Sequence, residues 1–140
     1  MREDIPQRMA FGQCRLWAYQ DTDGQVVGFG TLQECDDHGL FTNGQAHLYI
    51  PLLAVNPTIK SKGYGTAIVR HLIDEAALLA LSSSSCVPEL FLDVYTTNAK
   101  GITVYRNCGF VEVTAEPIPD PQEHDQTYHV MSRKVSVSSV

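Results

Sequence analysis

Tyr49-Ile50-Pro51-Leu52-Leu53-Ala54-Val55-Asn56-Pro57-Thr58-Ile59-Lys60-Ser61-Lys62-Gly63-Tyr64-Gly65-Thr66-Ala67 runs an apolar strand into a Lys/Gly turn that opens a helix. The helix reads from Tyr64 to about Leu81, because Ile68, Leu72, Ile73, Ala76, Leu79 and Ala80 fall on one face. Its first turn carries backbone N–H groups that no helical carbonyl reaches. Gly63 and Gly65 put no Cβ in front of those groups, the helix dipole adds partial positive charge, and Lys60 and Lys62 add full charges. A phosphate or pyrophosphate suits such a cradle, since it presents several oxygens at once.

Two common phosphate motifs do not match. The P-loop needs a Lys-Ser/Thr pair after its last glycine, whereas Gly65 is followed by Thr66-Ala67. The dinucleotide fingerprint wants a further Gly or Ala where this chain has Ile68. What remains is Lys60-Ser61-Lys62-Gly63-Tyr64-Gly65, which resembles the acetyl-CoA pyrophosphate loop of the Gcn5-related N-acetyltransferase (GNAT) family. Further on, Leu90-Phe91-Leu92-Asp93-Val94-Tyr95 reads as a buried strand, and Thr96-Thr97-Asn98 leads into a helix carrying Ile102, Val104 and Tyr105. Asn98, Tyr105 and Gly109-Phe110 together are similar to the family's second signature, in the family's order.

The resemblance covers roughly Cys14 to Lys134 and implies a GNAT-like α/β fold: a mixed, mostly antiparallel sheet with a central parallel strand pair and flanking helices. The family's N-terminal helices are expected to be missing or very short in this sequence, where only a dozen or so residues precede Cys14, unless a partner supplies that wall or the natural chain is longer. By the same resemblance, backbone groups of Leu53, Ala54 and Val55 hold the pantetheine arm, and the Leu53 N–H faces the developing oxyanion. Lys60, Ser61, Lys62, Gly63, Tyr64, Gly65 and Thr66 hold the pyrophosphate. Tyr105 matches the tyrosine that gives a proton to the CoA sulfur, a role open to a phenol because its pKa of ~10 is near that of a thiol; a core tyrosine on an amphipathic helix is the plainer reading. Asn98 caps its helix on residue type alone, and in relatives the matching Asn also touches the cofactor.

The general base is less determined. Some relatives place a Glu where this chain has Tyr49, and Asp93 matches a Glu proposed as base in the ribosomal-protein alanine acetyltransferase branch. An Asp bonded to neighbouring amides, or a base role played by water, fits Asp93's position equally, with His47 and Tyr49 as candidates through an ordered water.

The rest of the chain supports a single domain. A length of 140 residues suffices for one core, so residues 1–140 read as one acetyltransferase domain, with 1–13 and 135–140 expected to be flexible. Strands Cys14–Gln20 and Gln25–Leu32 flank an Asp-Gly turn signal at Asp23-Gly24, a polar loop follows from Gln33 to about Gln45, and His47–Val55 is the next strand. Pro51 inside it is awkward for a regular central strand and calls for a bulge or a splayed edge. Val111–Thr114 and Tyr128–Ser132 are expected to pair across the Pro-rich stretch Glu116–Pro121.

No apolar run approaches the ~20 residues of a membrane span, and the start lacks a signal-type apolar segment, so a soluble cytoplasmic protein is expected. Cys14, Cys35, Cys86 and Cys108 show no close pairing, and the five histidines fall in no metal-ligand spacing, so reduced cysteines and no metal are expected. A net charge of -6 argues against nucleic acid and favours a cationic partner. The activity implied is acetyl transfer from acetyl-CoA, as co-substrate, to a primary amine of a small molecule or peptide by direct attack. A catalytically inactive CoA-binding regulatory module is the alternative, and a homodimer is left open by an open sheet end.

Overall fold

The computed structural model describes residues 2–9, 12–35, 46–58, 63–82, 86–114, 116–123 and 125–136. Lys60, Ser61 and Lys62, the predicted loop over 36–45, the serines at 83–85 and the tail from 137 lie outside the described residues.

The predicted hairpin is formed by β2 (Gly12–Gln20) and β3 (Val26–Cys35). Asp21 closes it by accepting the backbone N–H groups of Asp23 and Gln25, both at 2.9 Å, while Gly24 takes the left-handed φ of 81° that the turn requires. β3 outruns its expected end at Leu32, because Gln33, Glu34 and Cys35 pair with Tyr49, Leu48 and His47. Ladder pairing overrides the polar composition of that stretch. Residues 2–9, within the segment expected to be flexible, run as β1 (Arg2–Met9) along the whole of β2. Pro6 is compatible with a strand there because β1 is the outermost strand of the sheet.

The predicted strand His47–Val55 is divided. β4 (Ala46–Ile50) ends before Pro51, and β5 (Leu53–Val55) begins after Leu52. β3 pairs with both, at Gln33↔Tyr49 and at Gly30↔Leu53. Between those pairs stand Thr31 and Leu32 on one side and Ile50, Pro51 and Leu52 on the other, so the Pro51 strand carries one extra residue: a β-bulge. Thr31 holds it. Its N–H donates to the Leu52 carbonyl at 3.0 Å, and its Oγ1 both donates to that carbonyl and accepts the Leu52 N–H, each at 2.9 Å.

Beyond the bulge come α1 (Tyr64–Ser82), β6 (Cys86–Tyr95), α2 (Ala99–Asn107), β7 (Val111–Glu112), β8 (Ile118–Pro119) and β9 (Thr127–Lys134). The sheet order is β1-β2-β3-β4-β6-β9-β7, with β5 on β3 and β8 on β9. Among the described strands only β4 and β6 are parallel, and α1 lies in the connection between them, as a parallel pair demands. The last β4–β6 pair is Ile50↔Leu92. Past it, Leu53–Val55 pair only with β3 and Asp93–Tyr95 only with β9, so a wedge opens between β5 and the end of β6.

α1 buries Ile68, Val69, Leu72, Ile73, Ala76 and Ala77 against the strands, joining Trp17, Leu48, Leu90 and Leu92 in one core. The helix sits close to β3 because two strand residues lack side chains. A Cβ at Gly28 would strike the Ala54 carbonyl and come within 2.8 Å of Ile68 Cδ1; one at Gly30 would come within 3.0 Å of Leu72 Cδ1. Those glycines fix the height of α1's first turns over β5.

Thr31→Val is expected to lower unfolding stability by about 1–3 kcal/mol, since the part-buried Leu52 N–H loses its acceptor. Thr31→Ser is expected to restore most of it; urea unfolding of the three proteins checks this.

Candidate active site

Antiparallel pairing alternates, so every second residue points its N–H and C=O at the partner strand. The Thr31–Leu52 bond and the 2.7 Å bond from Asn56 N–H to the Val27 carbonyl set the phase. Leu52, Ala54 and Asn56 therefore turn their backbone groups toward β3, and Leu53 and Val55 turn theirs away from it, into the wedge. This separates the three residues expected to hold pantetheine. Leu53 and Val55 line a cavity of about 810 Å³. Ala54, paired with Phe29, is not among its lining residues and has its amide and carbonyl committed to the ladder.

Two helix N-termini open into this cavity. Gly63, Tyr64, Gly65 and Thr66 bring the start of α1, and Asn98 to Gly101 bring the start of α2. Gly63 adopts φ 74°, and its carbonyl accepts the Ala67 N–H at 3.0 Å, so the amides of Tyr64, Gly65 and Thr66 precede the first bond of the helix. At Gly65 an added Cβ would already meet Val55 Cγ2 at 3.7 Å. Neither helix has an acidic residue in its first turn, and Lys100 stands in the lining. Both dipoles thus present uncompensated positive ends to one volume, an arrangement suited to a polyanion. The approach to α1 is shaped by Asn56, whose Oδ1 accepts both the N–H (3.0 Å) and the hydroxyl (2.8 Å) of Thr58.

Asn98 caps α2 as its residue type suggests, accepting the Gly101 N–H at 3.0 Å, and it also faces the cavity. A Cβ at Gly101 would lie 2.5 Å from Asn98 Nδ2, so the capping side chain would have to shift to admit one. Tyr105, about two turns after the cap, is 8% exposed, lines the same cavity and packs edge-on against Phe110 at 6.0 Å. Burial pushes its phenol above the usual tyrosine range. The end of α2 is pinned by Arg133 Nη1, which donates to the Cys108 carbonyl at 2.5 Å, and by the Phe110 N–H on the Tyr105 carbonyl at 3.0 Å.

Asp93 is not in that cavity. It lines a second one, of about 340 Å³, with Tyr49, Pro51, Tyr95, Asp120 and Tyr128. It is exposed rather than buried, and Tyr49 donates its hydroxyl to Asp93 Oδ2 at 2.7 Å. His47 is fully buried with its ring edge-on to Phe91 at 4.9 Å, which removes it from contact with a substrate.

Sequence reading missed Lys100, Gly101 and Thr103 in the first cavity and Tyr95, Asp120 and Tyr128 in the second. Lys100 and Gly101 had a signal, since both lie in the first turn after a helix cap. Asp120 and Tyr128 had none, because only the β9 register brings their segment to β6.

Residues 2–110 match the acetyltransferase (GNAT) family. The chain belongs to that family. It is 36% identical over 92 residues, 66% of its length, to the [ribosomal protein bS18]-alanine N-acetyltransferase of Escherichia coli K12, and covers 52% of that protein. The chain thus spans about half the length of the curated relatives it matches. Its fold is shared with Arabidopsis thaliana NAA60, solved with a bisubstrate analogue: TM-score 0.68, 17% identity, over 91% of this chain and 78% of that one. It is shared also with spermidine N-acetyltransferase from Vibrio cholerae, solved with CoA and spermine: TM-score 0.63, 17% identity, over 87% and 66%. The mixed sheet with its one described parallel pair is therefore the family's fold, as the two sequence signatures implied.

Asn98→Ala and Gly101→Ala are each expected to cost about 1 kcal/mol through loss of the same cap. Combining them is expected to cost no more than Asn98→Ala alone, because the added methyl then has no side chain to displace and alanine is the better helix former. Unfolding midpoints of the two single variants and the double variant check this.

Proposed function

We propose that this protein transfers the acetyl group of acetyl-CoA to a primary amine by direct attack. The observation that carries this reading is the wedge: backbone groups of Leu53 and Val55 face a cavity that two helix N-termini and the buried Tyr105 also line. Bound acetyl-CoA supplies the activated thioester. Leu53 and Val55 offer its pantetheine arm the hydrogen bonds of a missing strand, and the amides from Gly63 to Thr66, with Lys60, Ser61 and Lys62, take the pyrophosphate. The N–H of Leu53 stabilises the charge that grows on the carbonyl oxygen.

The acceptor enters as an ammonium and must lose a proton first. Asp93, with the Tyr49 hydroxyl bonded to it, is the proton-accepting pair on the acceptor side. Nitrogen then bonds the carbonyl carbon, the carbon–sulfur bond breaks, and Tyr105 gives its phenolic proton to the sulfur. The phenol is reprotonated from the proton that the amine releases, so the net products are the amide, CoA thiol and one proton. The relatives named above act on a ribosomal-protein alanine and on spermidine, which supports an amine acceptor. Cytoplasmic location and self-association belong to the same reading, and sedimentation of the pure protein tests the latter.

The first experiment pairs thermal unfolding in acetyl-CoA, CoA, ATP and NAD with thiol release from acetyl-CoA against a panel of amines. Stabilisation by acetyl-CoA and CoA alone, with amine-dependent release, is expected; stabilisation with no release on any amine counts against transfer. Tyr105→Phe is expected to lower kcat by about 100-fold. Because burial raises the Tyr105 pKa, the phenol stays protonated through neutral pH and is lost only as pH rises above its ordinary ~10. An alkaline limb in the wild-type rate profile is expected there, and its absence in Tyr105→Phe.

A further inference from the structure

We infer that Arg133, a β9 residue outside both cavities, is a positioning residue for Tyr105: it holds the last turn of α2 so that the phenol stands at a set place in the first cavity. The inference rests on the proposed transfer reaction, in which the Tyr105 proton moves to sulfur as sulfur takes the electron pair of the broken carbon–sulfur bond.

Tyr105 is placed by packing and by its backbone. Burial alone lifts its phenol above the usual range, with no charged or hydrogen-bonded neighbour contributing, and among the described residues none bonds its hydroxyl. The ring is held instead by apolar neighbours, with Phe110 edge-on at 6.0 Å and Cys108 and Met131 in the same buried core. The backbone is held from the same quarter. The Phe110 N–H donates to the Tyr105 carbonyl at 3.0 Å, and the Cys108 N–H reaches the carbonyls of Val104 and Tyr105, both at 3.1 Å. Phe110 thus grips Tyr105 twice, by ring and by amide. It can do so because the chain doubles back at Gly109, which takes φ 95°.

Arg133 holds that turn from the sheet. Its Nη1 donates to the Cys108 carbonyl at 2.5 Å, and its Nε donates to the Lys134 carbonyl at 3.2 Å. Among the described residues no carboxylate pairs with this half-buried guanidinium. A half-buried cation without a carboxylate needs another source of negative charge, and the C-terminal end of the α2 dipole is one. Arg133 also lies against Gly109, where an added Cβ would stand 3.1 Å from Nη1 and 3.5 Å from Cδ. The turn is therefore touched both at the carbonyl before Gly109 and at Gly109 itself.

Alternation along β9 aims the guanidinium there. Met131, Arg133 and Val135 share one face, and Met131 and Val135 are buried in the core that contains Tyr105 and Phe110. Arg133 stands opposite Leu90 of β6, so the hold on α2 comes from the middle of the sheet. The other tie at this end, Arg106 to Glu112, is largely solvent-exposed and contributes little. None of Cys108, Gly109, Phe110 and Arg133 lines the first cavity, whereas the starts of both helices do. A loosened turn should then misplace the phenol while leaving the donor's binding groups as they were.

The test is a double-mutant cycle in thiol release from acetyl-CoA, with CoA affinity by calorimetry and urea unfolding measured on the same proteins. Arg133→Met is expected to lower kcat by about tenfold while KM for acetyl-CoA and CoA affinity stay within about twofold. In the Tyr105→Phe background the same change is expected to move kcat by less than about twofold, because no proton donor is left to misplace. Arg133→Lys keeps a cation that can reach the Cys108 carbonyl, and is expected to bring kcat to within about threefold of wild type. Gly109→Ala disturbs the turn from its other side and is expected to show the same coupling to Tyr105, which reads the interaction even where Arg133→Met does not fold. Equal losses in both backgrounds, a loss carried by CoA affinity, or an unchanged kcat in folded Arg133→Met would overturn the inference and leave the transfer reaction standing. Thiol release with no amine at all would sink the reaction itself, and Arg133's part in it.

Discussion

One surplus residue between Tyr49 and Leu53 governs this structure. Without it β4 and β5 would be a single strand, paired along its whole length with β3 on one side and with β6 on the other. With it, the strand bends at Pro51, keeps β3 and leaves β6 after Ile50↔Leu92. Proline cannot donate to a ladder, so the sequence puts its missing donor where the ladder must fail anyway. The Thr31 side chain, bonded to both backbone groups of Leu52, supplies the pairing that the extra residue disrupts. Buried backbone groups are otherwise expensive to leave unmatched. Here Leu53 and Val55 have theirs turned toward a cavity, where a ligand's amides can meet them.

The remaining features bring charge and chemistry to that opening. Gly28 and Gly30 let α1 approach β3 closely enough for its N-terminus to reach the wedge. Asn98 and Gly101 start α2 at the same opening, and α2 then delivers the buried Tyr105 to the cavity wall. In the second cavity, carboxylates take the place of helix dipoles. Both cavities thus border the C-terminal end of β6, one lined by helix N-termini and the other by Asp93 and Asp120.

Much of this was legible in the sequence where function depends on backbone geometry. Pro51 announced the break, Gly63-Tyr64-Gly65 the helix start, and Asn98 the cap. Residue types there are constrained by φ, by missing donors or by absent Cβ atoms, and those constraints are local. Two kinds of information were not local. The phase of the ladder decides that Leu53 and Val55, and not Ala54, face the wedge; it follows from the bulge count and cannot be read from three apolar residues. Asp120 and Tyr128 reach β6 only through pairing along β9, so their acidic, proline-rich segment reads as ordinary solvated loop. β1 was missed for a related reason, since Arg2–Met9 has mixed composition and becomes a strand only beside β2.

The two cavities have no lining residue in common, although both are bordered by the Tyr49–Val55 stretch. On the proposed assignment, donor and acceptor therefore need not pass through a shared mouth. If the proposed assignment holds, each can arrive while the other is already seated, giving a ternary complex with no obligatory order, and an inhibitor of one substrate is then expected to be noncompetitive toward the other. A single compound spanning the bend at Pro51 would gain the affinity of both halves and would be excluded by neither.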